Sequence, residues 1–328
     1  MKYMLRKLAL ASCIGMFLVL LMGTLVTKTE SGRGCGDDWP LCNGKFIPAY
    51  TVESMIEYSH RFVTGIEGLL VLGATVGVYL YTKRKDARFY AASSLFFTVI
   101  QAAMGALAVI WPQSSSVLAL HFGFSLLAFA STFLLVMALR RLPDSGMNPP
   151  KVSRPARKPK PSLPIAEGGG SRPGGLSMGT SILLWVTAAY TYVVVYLGAY
   201  VRHTDSSGGC GRDWPLCAGE VVPSLTGATG IMFIHRLGAV LLFVLIAYLM
   251  YRLNRETDRP DMAKAGRVAF QLVVIQVFSG ALVTFALGTD SYLFASLLHT
   301  VIIAALFSTL SYLCALWVTG PQKTAAAL

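Results

Sequence analysis

Long apolar blocks, separated by short polar segments, dominate the pattern along the chain. A helix of about 20 apolar residues is long enough to cross the hydrocarbon core of a bilayer. The pattern predicts eight such helices, at residues 8–26, 54–81, 89–110, 117–140, 178–201, 230–252, 266–287 and 293–318. A water-soluble fold has no way to bury so many of these blocks, and we therefore predict an all-α integral membrane protein.

Composition agrees with this prediction. Hydrophobic residues make up 54% of the 328 residues and charged residues only 13%, whereas soluble domains carry about 25% charged residues. The net charge is +12, and its distribution predicts the orientation. With both termini inside, most Lys and Arg fall in the inner loops, above all in 140–172 and 252–267. The positive-inside rule then predicts a multi-pass membrane protein with cytoplasmic termini, in contact with lipid and not with nucleic acid.

The chain also contains an internal duplication with an offset of 175 positions. Cys35-Gly36-x-Asp38-Trp39-Pro40-Leu41-Cys42 recurs as Cys210-Gly211-x-Asp213-Trp214-Pro215-Leu216-Cys217. The same offset relates His60-Arg61 to His235-Arg236. We therefore predict two pseudo-symmetric four-helix bundles, 1–140 and 178–328, related by a parallel repeat. The segment between them, 141–177, is rich in Pro, Gly, Lys and Arg, and we predict a disordered cytoplasmic linker.

Four of the five histidines have a common placement. His60, His121, His235 and His299 fall near the outer ends of predicted helices 2, 4, 6 and 8. Ionisable groups within a membrane span usually mark a functional site. A bare zinc or copper site needs about four converging ligands, whereas two facing imidazoles in a four-helix bundle suit a haem iron. We predict one bis-histidine haem site in each half. His203 is expected in the outer loop after predicted helix 5, and no histidine of the first half corresponds to it.

Two arginines directly follow a histidine in the repeat. Arg61 and Arg236 lie near the aqueous edge, where a guanidinium can pair with a haem propionate. The alternative is that they extend to lipid phosphates. The two cysteine pairs face the outer side, where disulfides persist. We predict Cys35–Cys42 and Cys210–Cys217 disulfides, which serve either as structural clips or as a dithiol relay.

The two halves differ in their acidic residues. Glu57 lies one helical turn before His60, and its counterpart in the second half is Met232. This asymmetry suggests that the first half performs the chemistry, with Glu57 as a general base or proton relay, while the second half holds a permanent haem. Glu67 lies deeper on the same helix, and the sequence does not assign it a role.

These motifs together resemble haem A synthase of the bacterial plasma membrane, in the Gram-positive form with a cysteine pair in both outer loops. The resemblance covers nearly the whole chain. It implies an oxidoreductase that converts the ring-D methyl group of haem O into the formyl group of haem A for cytochrome oxidase. It implies that His60 and His121 hold the substrate haem, with Glu57 assisting, and that His235 and His299 hold a haem b. Haem O synthase and a ferredoxin or quinol electron donor are the partners that it implies.

Other functions share part of the pattern. A b-type cytochrome that only transfers electrons would have the four histidines but no need of Glu57. A membrane thiol-disulfide oxidoreductase would use the cysteine pairs and leave the histidines incidental. A transporter is suggested by the parallel repeat alone. The sequence leaves open the source of the formyl oxygen, because two histidines would occupy both axial positions of the substrate iron.

Overall fold

A computed structural model describes residues 2–48, 50–111, 113–140 and 176–320 of the chain. These residues contain eight α-helices long and apolar enough to cross a membrane, which confirms the predicted class of fold. They are α1 Lys2–Lys28, α2 Val52–Tyr81, α3 Lys85–Ile110, α4 Ser115–Arg140, α5 Met178–His203, α6 Gly227–Glu256, α7 Pro260–Phe285 and α8 Tyr292–Thr319. Apart from residues 176 and 177, the predicted linker lies outside the described residues.

Most helices extend beyond the apolar blocks because polar residues form their ends. Thr51 caps α2 by accepting a hydrogen bond from the Ser54 amide, and Pro260 begins α7 at a position where its missing N–H costs nothing. Helix α1 likewise begins at Lys2 and ends at Lys28 rather than at the limits of its apolar block. As a result, the four histidines lie about two turns inside their helices, deeper than the sequence predicts.

The helices form two rings joined through α4 and α8. In each half the four helices contact one another in chain order, and the halves meet through contacts of α4 with α5 and α8, and of α8 with α1. In α4 and in α8, 61% of the residues in the apolar 18-residue stretch of the helix are buried. In each of the other helices the buried share of that stretch is at most 33%. The fourth helix of each half is therefore the one that the protein interior surrounds most completely.

The duplication is visible at the inner ends of the helices. Arg84 pairs with Asp86 and donates a hydrogen bond to the Ala138 carbonyl at 3.0 Å. Their counterparts do the same in the second half, where Arg259 pairs with Asp261 and donates to the Leu316 carbonyl at 2.7 Å. Each arginine thus ties the start of the third helix to the end of the fourth.

The outer loops are anchored in the same repeated way. Ser54 donates a hydrogen bond to the Gly34 carbonyl, and its counterpart Thr229 donates to the Gly209 carbonyl at 2.8 Å. A Cβ at either glycine would collide with the backbone of the following helix, so the close approach requires glycine. The loops are closed by the Cys35–Cys42 and Cys210–Cys217 disulfides, as predicted.

Candidate functional site

The four histidines come together as the two predicted pairs. His60 on α2 lies near His121 on α4, and His235 on α6 lines the same cavity as His299 on α8. The fourth histidine departs from the offset of the repeat: His299 follows His121 by 178 positions instead of 175. The connection from α7 to α8, longer than that from α3 to α4, absorbs most of the difference and keeps the imidazole at the matching depth.

Each imidazole packs against a glycine of the preceding helix. The ring atoms of His60, His121, His235 and His299 would lie 3.4, 3.3, 2.9 and 3.4 Å from a Cβ built on Gly23, Gly105, Gly198 and Gly280, respectively. Such distances leave little or no room for a side chain at these glycines. The absence of a side chain lets each ring lie flush against the neighbouring helix, which restricts the directions in which it points.

The ring nitrogens differ between the sites. The Nδ1 atoms of His60, His121 and His235 are buried without a hydrogen-bond partner. His299 is instead held from α7, because its Nδ1 lies 2.8 Å from the Ser279 hydroxyl and the Gln276 amide lies 3.0 Å from its Nε2. The residue equivalent to Ser279 in the first half is Met104, which offers no such partner. A hydrogen bond from outside the ligand set orients a metal-ligating imidazole, and the Ser279 hydroxyl is placed to form one with Nδ1. Iron binding through Nε2 would require the Gln276 amide to turn away from that nitrogen.

A cavity of about 320 Å³ contains the second pair of histidines. Its size lies in the range of sites that hold cofactors and other small molecules, about 300–1,000 Å³. Aliphatic side chains form much of its wall, among them Val194, Val240 and Val277, while Gln276 and Arg236 contribute polar groups. A flat, largely apolar macrocycle with charged edges matches such a lining.

These residues fit haem better than a bare metal ion. Within the described part of the chain, no three His, Cys, Asp or Glu side chains gather as they would around a metal ion. Two imidazoles would supply only two ligands to an iron, and a porphyrin would supply the remaining nitrogens. The buried, unpaired Nδ1 atoms and the glycine cradles are therefore consistent with one haem between each pair.

Glu57 lies on α2 and is hydrogen-bonded to the first outer loop. Its side chain is buried, and Oε2 accepts a hydrogen bond from the Cys35 backbone N–H at 2.8 Å. Its other oxygen, Oε1, pairs with Arg61. Met232, the counterpart of Glu57, lines the cavity of the second half. The repeat therefore indicates that Glu57 borders the equivalent space of the first half, with a charged group where the second half has a thioether.

The two predicted propionate-binding arginines both reach into the cysteine loops. Arg61 donates to the Asp38 and Leu41 carbonyls at 2.7 and 2.8 Å. Arg236 donates to the equivalent carbonyls of Asp213 and Leu216 at 2.8 and 2.6 Å. Both arginines therefore clamp the disulfide loop over the site, and Arg236 lines the cavity as well.

Glu67 is an isolated acid in the interior of the first half. It is 1% exposed, and neither carboxylate oxygen has a hydrogen-bond partner. Its Oε2 occupies the space that a side chain on Gly15 of α1 would fill. An unpaired carboxyl in this position is costly, and the counterpart Leu242 carries no such group.

The structure also reveals contacts between the halves that sequence reasoning missed. His203 is the last residue of α5 rather than part of a loop, and it lies within electrostatic range of His121. Its counterpart in the repeat, Lys28, lies at the end of α1 within electrostatic range of His299. The offset of 175 aligns Lys28 with His203, so the sequence alone shows that the two positions are equivalent. The sequence does not show which part of the opposite half each side chain approaches.

Comparison with known proteins identifies the family. The chain matches the COX15-CtaA family of cytochrome oxidase assembly proteins over residues 6–163 and 181–229. It is 40% identical to a heme A synthase of Symbiobacterium thermophilum over 98% of both chains, and 40% identical to one of an Exiguobacterium species over 94% of this chain and 92% of that one. A heme A synthase of Halalkalibacterium halodurans is 34% identical over 92% of both. The chain therefore belongs to the COX15-CtaA family of cytochrome oxidase assembly proteins.

Proposed function

We propose that this protein is a haem A synthase, which oxidises the ring-D methyl group of haem O to the formyl group of haem A. The observation that carries the proposal is the full-length similarity to relatives named heme A synthase, at 40% identity over 98% of both chains in one case. The two histidine pairs, each cradled by a glycine on the neighbouring helix, support it because the substrate itself is a haem.

The proposal divides the work between the two halves, residues 1–140 and 178–328. Haem O, the substrate, is held by His60 and His121, and a haem b is held by His235 and His299. When bound, haem b transfers electrons. Two differences between the halves support this division. His299 has a hydrogen-bond partner from α7, as suits a group that stays bound, whereas the first half has an acid beside its histidines.

Glu57 is the proposed proton acceptor. Conversion of a methyl to a formyl group removes four electrons, which pass to an electron acceptor or to dioxygen. If water supplies the oxygen, four protons are released as well, and these need a base nearby. The Cys35 N–H and the Arg61 guanidinium both contact this buried carboxylate and hold it in place. A carboxylate accepts about four hydrogen bonds, so two contacts leave lone pairs free to take up a proton.

Arg61 and Arg236 are proposed to act at the outer edge of each site. Their contacts with loop carbonyls keep the disulfide loops closed over the histidines and limit the entry of water. Donors not used in these contacts remain available for a haem propionate. We further propose that both termini are cytoplasmic. A ferredoxin or a quinol is the proposed electron donor, and haem O synthase is proposed to deliver the substrate in a complex.

The role of Glu57 is tested by substitution with a matched control on the same helix. Membranes from cells that make haem O but lack their own haem A synthase are extracted, and the haems are separated by chromatography and identified by mass spectrometry. Glu57→Gln is expected to accumulate haem O or a hydroxylated intermediate. Glu53→Gln removes an exposed carboxylate one turn earlier on α2 and is expected to match wild type. Equal haem A from both variants would exclude Glu57 as the base.

The same assay separates the proposal from its main alternative. A cytochrome that only transfers electrons would bind haem b through the histidines and leave haem O unchanged. In that case neither Glu57→Gln nor wild type would yield a formyl product, although both would show the spectrum of a bis-histidine haem.

A further inference from the structure

Two cations stand at the outer rim of the cavity that contains His235 and His299. Lys28 ends α1, in the first half, and Arg202 lies one residue before the end of α5. Both line the cavity, although only Arg202 belongs to the half that holds these histidines. The second site is therefore built in part from the first half of the chain.

The Lys28 ammonium lacks an anionic partner. Its Nζ donates to the Tyr292 hydroxyl at 2.8 Å and lies 4.6 Å from the centre of the same ring. Among the described residues, no carboxylate lies within ion-pair distance of it. An ammonium has three donors, and a half-buried one with a single neutral partner loses hydration without gaining a counter-charge.

Arg202 is only partly satisfied. One terminal nitrogen donates to the Thr27 carbonyl, and the other lies 3.1 Å from a carboxylate oxygen of Asp205. Its Nε is buried without a partner. Asp205 is 87% exposed and Glu30, the other nearby acid, is 85% exposed, so water screens the charge that they contribute. Both cations therefore line the cavity, whereas neither of these acids does.

The spacing along the helices sets these cations beyond the histidines, toward the outer side. Gly198, which contacts the His235 ring, precedes Arg202 by one helical turn, about 6 Å. Tyr292, which binds Lys28, precedes His299 by two turns, about 10 Å. A ligand that spans from the imidazoles to this rim would be apolar in its middle and anionic at its outer edge.

We propose that Lys28 and Arg202 bind the carboxylate groups of the haem that His235 and His299 hold, so that the first half of the chain completes the second haem site. The inference rests on the proposed function, because it takes that pair as a haem site. An oxyanion at this rim could also belong to a lipid headgroup. We commit to the haem carboxylates because the two cations line the same cavity as both histidines.

The test compares haem with a form of haem that has no carboxylates. The full chain carrying His60→Ala, which leaves only the second pair intact, is stripped of haem in an uncharged detergent. It is then titrated with haemin and with haemin dimethyl ester, and binding is followed by the Soret absorption. Lys28→Met is expected to weaken haemin binding by about tenfold, because it removes a charge-assisted hydrogen bond, and to leave ester binding unchanged.

Three further variants test whether the loss of haemin binding is specific to the positive charges at the rim. Lys45→Met removes an exposed lysine of the first outer loop and is expected to bind both haems like the parent. Lys28→Arg is expected to restore the preference for haemin over its ester. Arg202→Gln is expected to reduce the same preference. An equal loss of affinity for haemin and ester in Lys28→Met would mean that the lysine only packs against Tyr292, and would overturn the proposal.

Two further readouts separate the remaining explanations. Removal of a positive charge near the iron is expected to lower the midpoint potential of the bound haem in Lys28→Met but not in Lys45→Met. In nanodiscs, the haemin preference is expected to be the same with phosphatidylcholine as with phosphatidylglycerol. A preference that appears only without phosphatidylglycerol would assign the rim to lipid headgroups. Absence of any bis-histidine spectrum in the parent would instead refute the haem site of the proposed function itself.

Discussion

Substitution of Gly198 by alanine isolates the contribution of the glycine cradle to haem binding. A Cβ at this position would lie 2.9 Å from Cε1 of His235 and 3.4 Å from its Nε2. Relief of the clash requires the ring to move by about 0.5 Å relative to α5. Without haem the imidazole can turn away at little cost, but an iron ligand has a fixed position. Crowding of this kind costs about 1–3 kcal/mol, so we expect haem affinity at the second site to fall roughly 5- to 150-fold.

The assay is haem content per chain after purification, measured as the pyridine haemochrome, together with the Soret titration of the stripped protein. Gly179→Ala is the matched control, because Gly179 lies on the same helix and an added Cβ there meets nothing within 4 Å. Any gain in helix propensity does not depend on bound haem. Equal haem affinity for Gly198→Ala and Gly179→Ala would refute the view that close packing on α5 positions His235.

Three further predictions follow from individual side chains. Replacement of Glu67 by leucine, the residue at the equivalent place in the second half, is expected to raise the free energy of unfolding by about 1–3 kcal/mol, measured by thermal or denaturant unfolding in detergent; a loss of stability would reveal an unseen partner for the acid. Ser279→Ala is expected to weaken haem binding at the second site about tenfold, because Nδ1 of His299 loses its hydroxyl partner; unchanged affinity would contradict this. Replacement of Cys35 and Cys42 by serine is expected to lower haem A yield more than the same change in the second disulfide, because only the first loop binds the carboxylate that we propose as the base; equal losses would speak against that coupling.

Much of the fold was predictable because it depends on one-dimensional signals. Apolar blocks of membrane-spanning length give the eight helices, and the 175-residue offset gives their division into two rings. The pairing of the cysteines follows from their common outer loops. The predicted limits of the helices were less accurate than their number. The cap at Thr51 and the start at Pro260 lengthen their helices beyond the apolar blocks.

The histidines of the candidate site stand out in the sequence, but their surroundings do not. The four histidines stand out because ionisable residues are rare in membrane spans. The glycines beside them are too far away in the sequence for any spacing rule to connect them, as with Gly105 and His121. The propionate contact of Arg61 stays a prediction, and nothing in the sequence indicated that the outer loop folds back and offers carbonyl oxygens to the same guanidinium. The approach of Lys28 to the opposite half depends on how the two rings pack, which a repeat alone does not specify.

The most direct test of the central claim is the identity of the haem that the wild-type protein produces. The chain is expressed in cells that make haem O, lack another haem A synthase and contain a working electron donor. The extracted haems are then separated by chromatography and identified by mass spectrometry. The account predicts haem A, with its formyl group, alongside haem b retained by the protein. A preparation that contains haem b, leaves haem O unchanged and yields neither haem A nor a hydroxylated intermediate would contradict it.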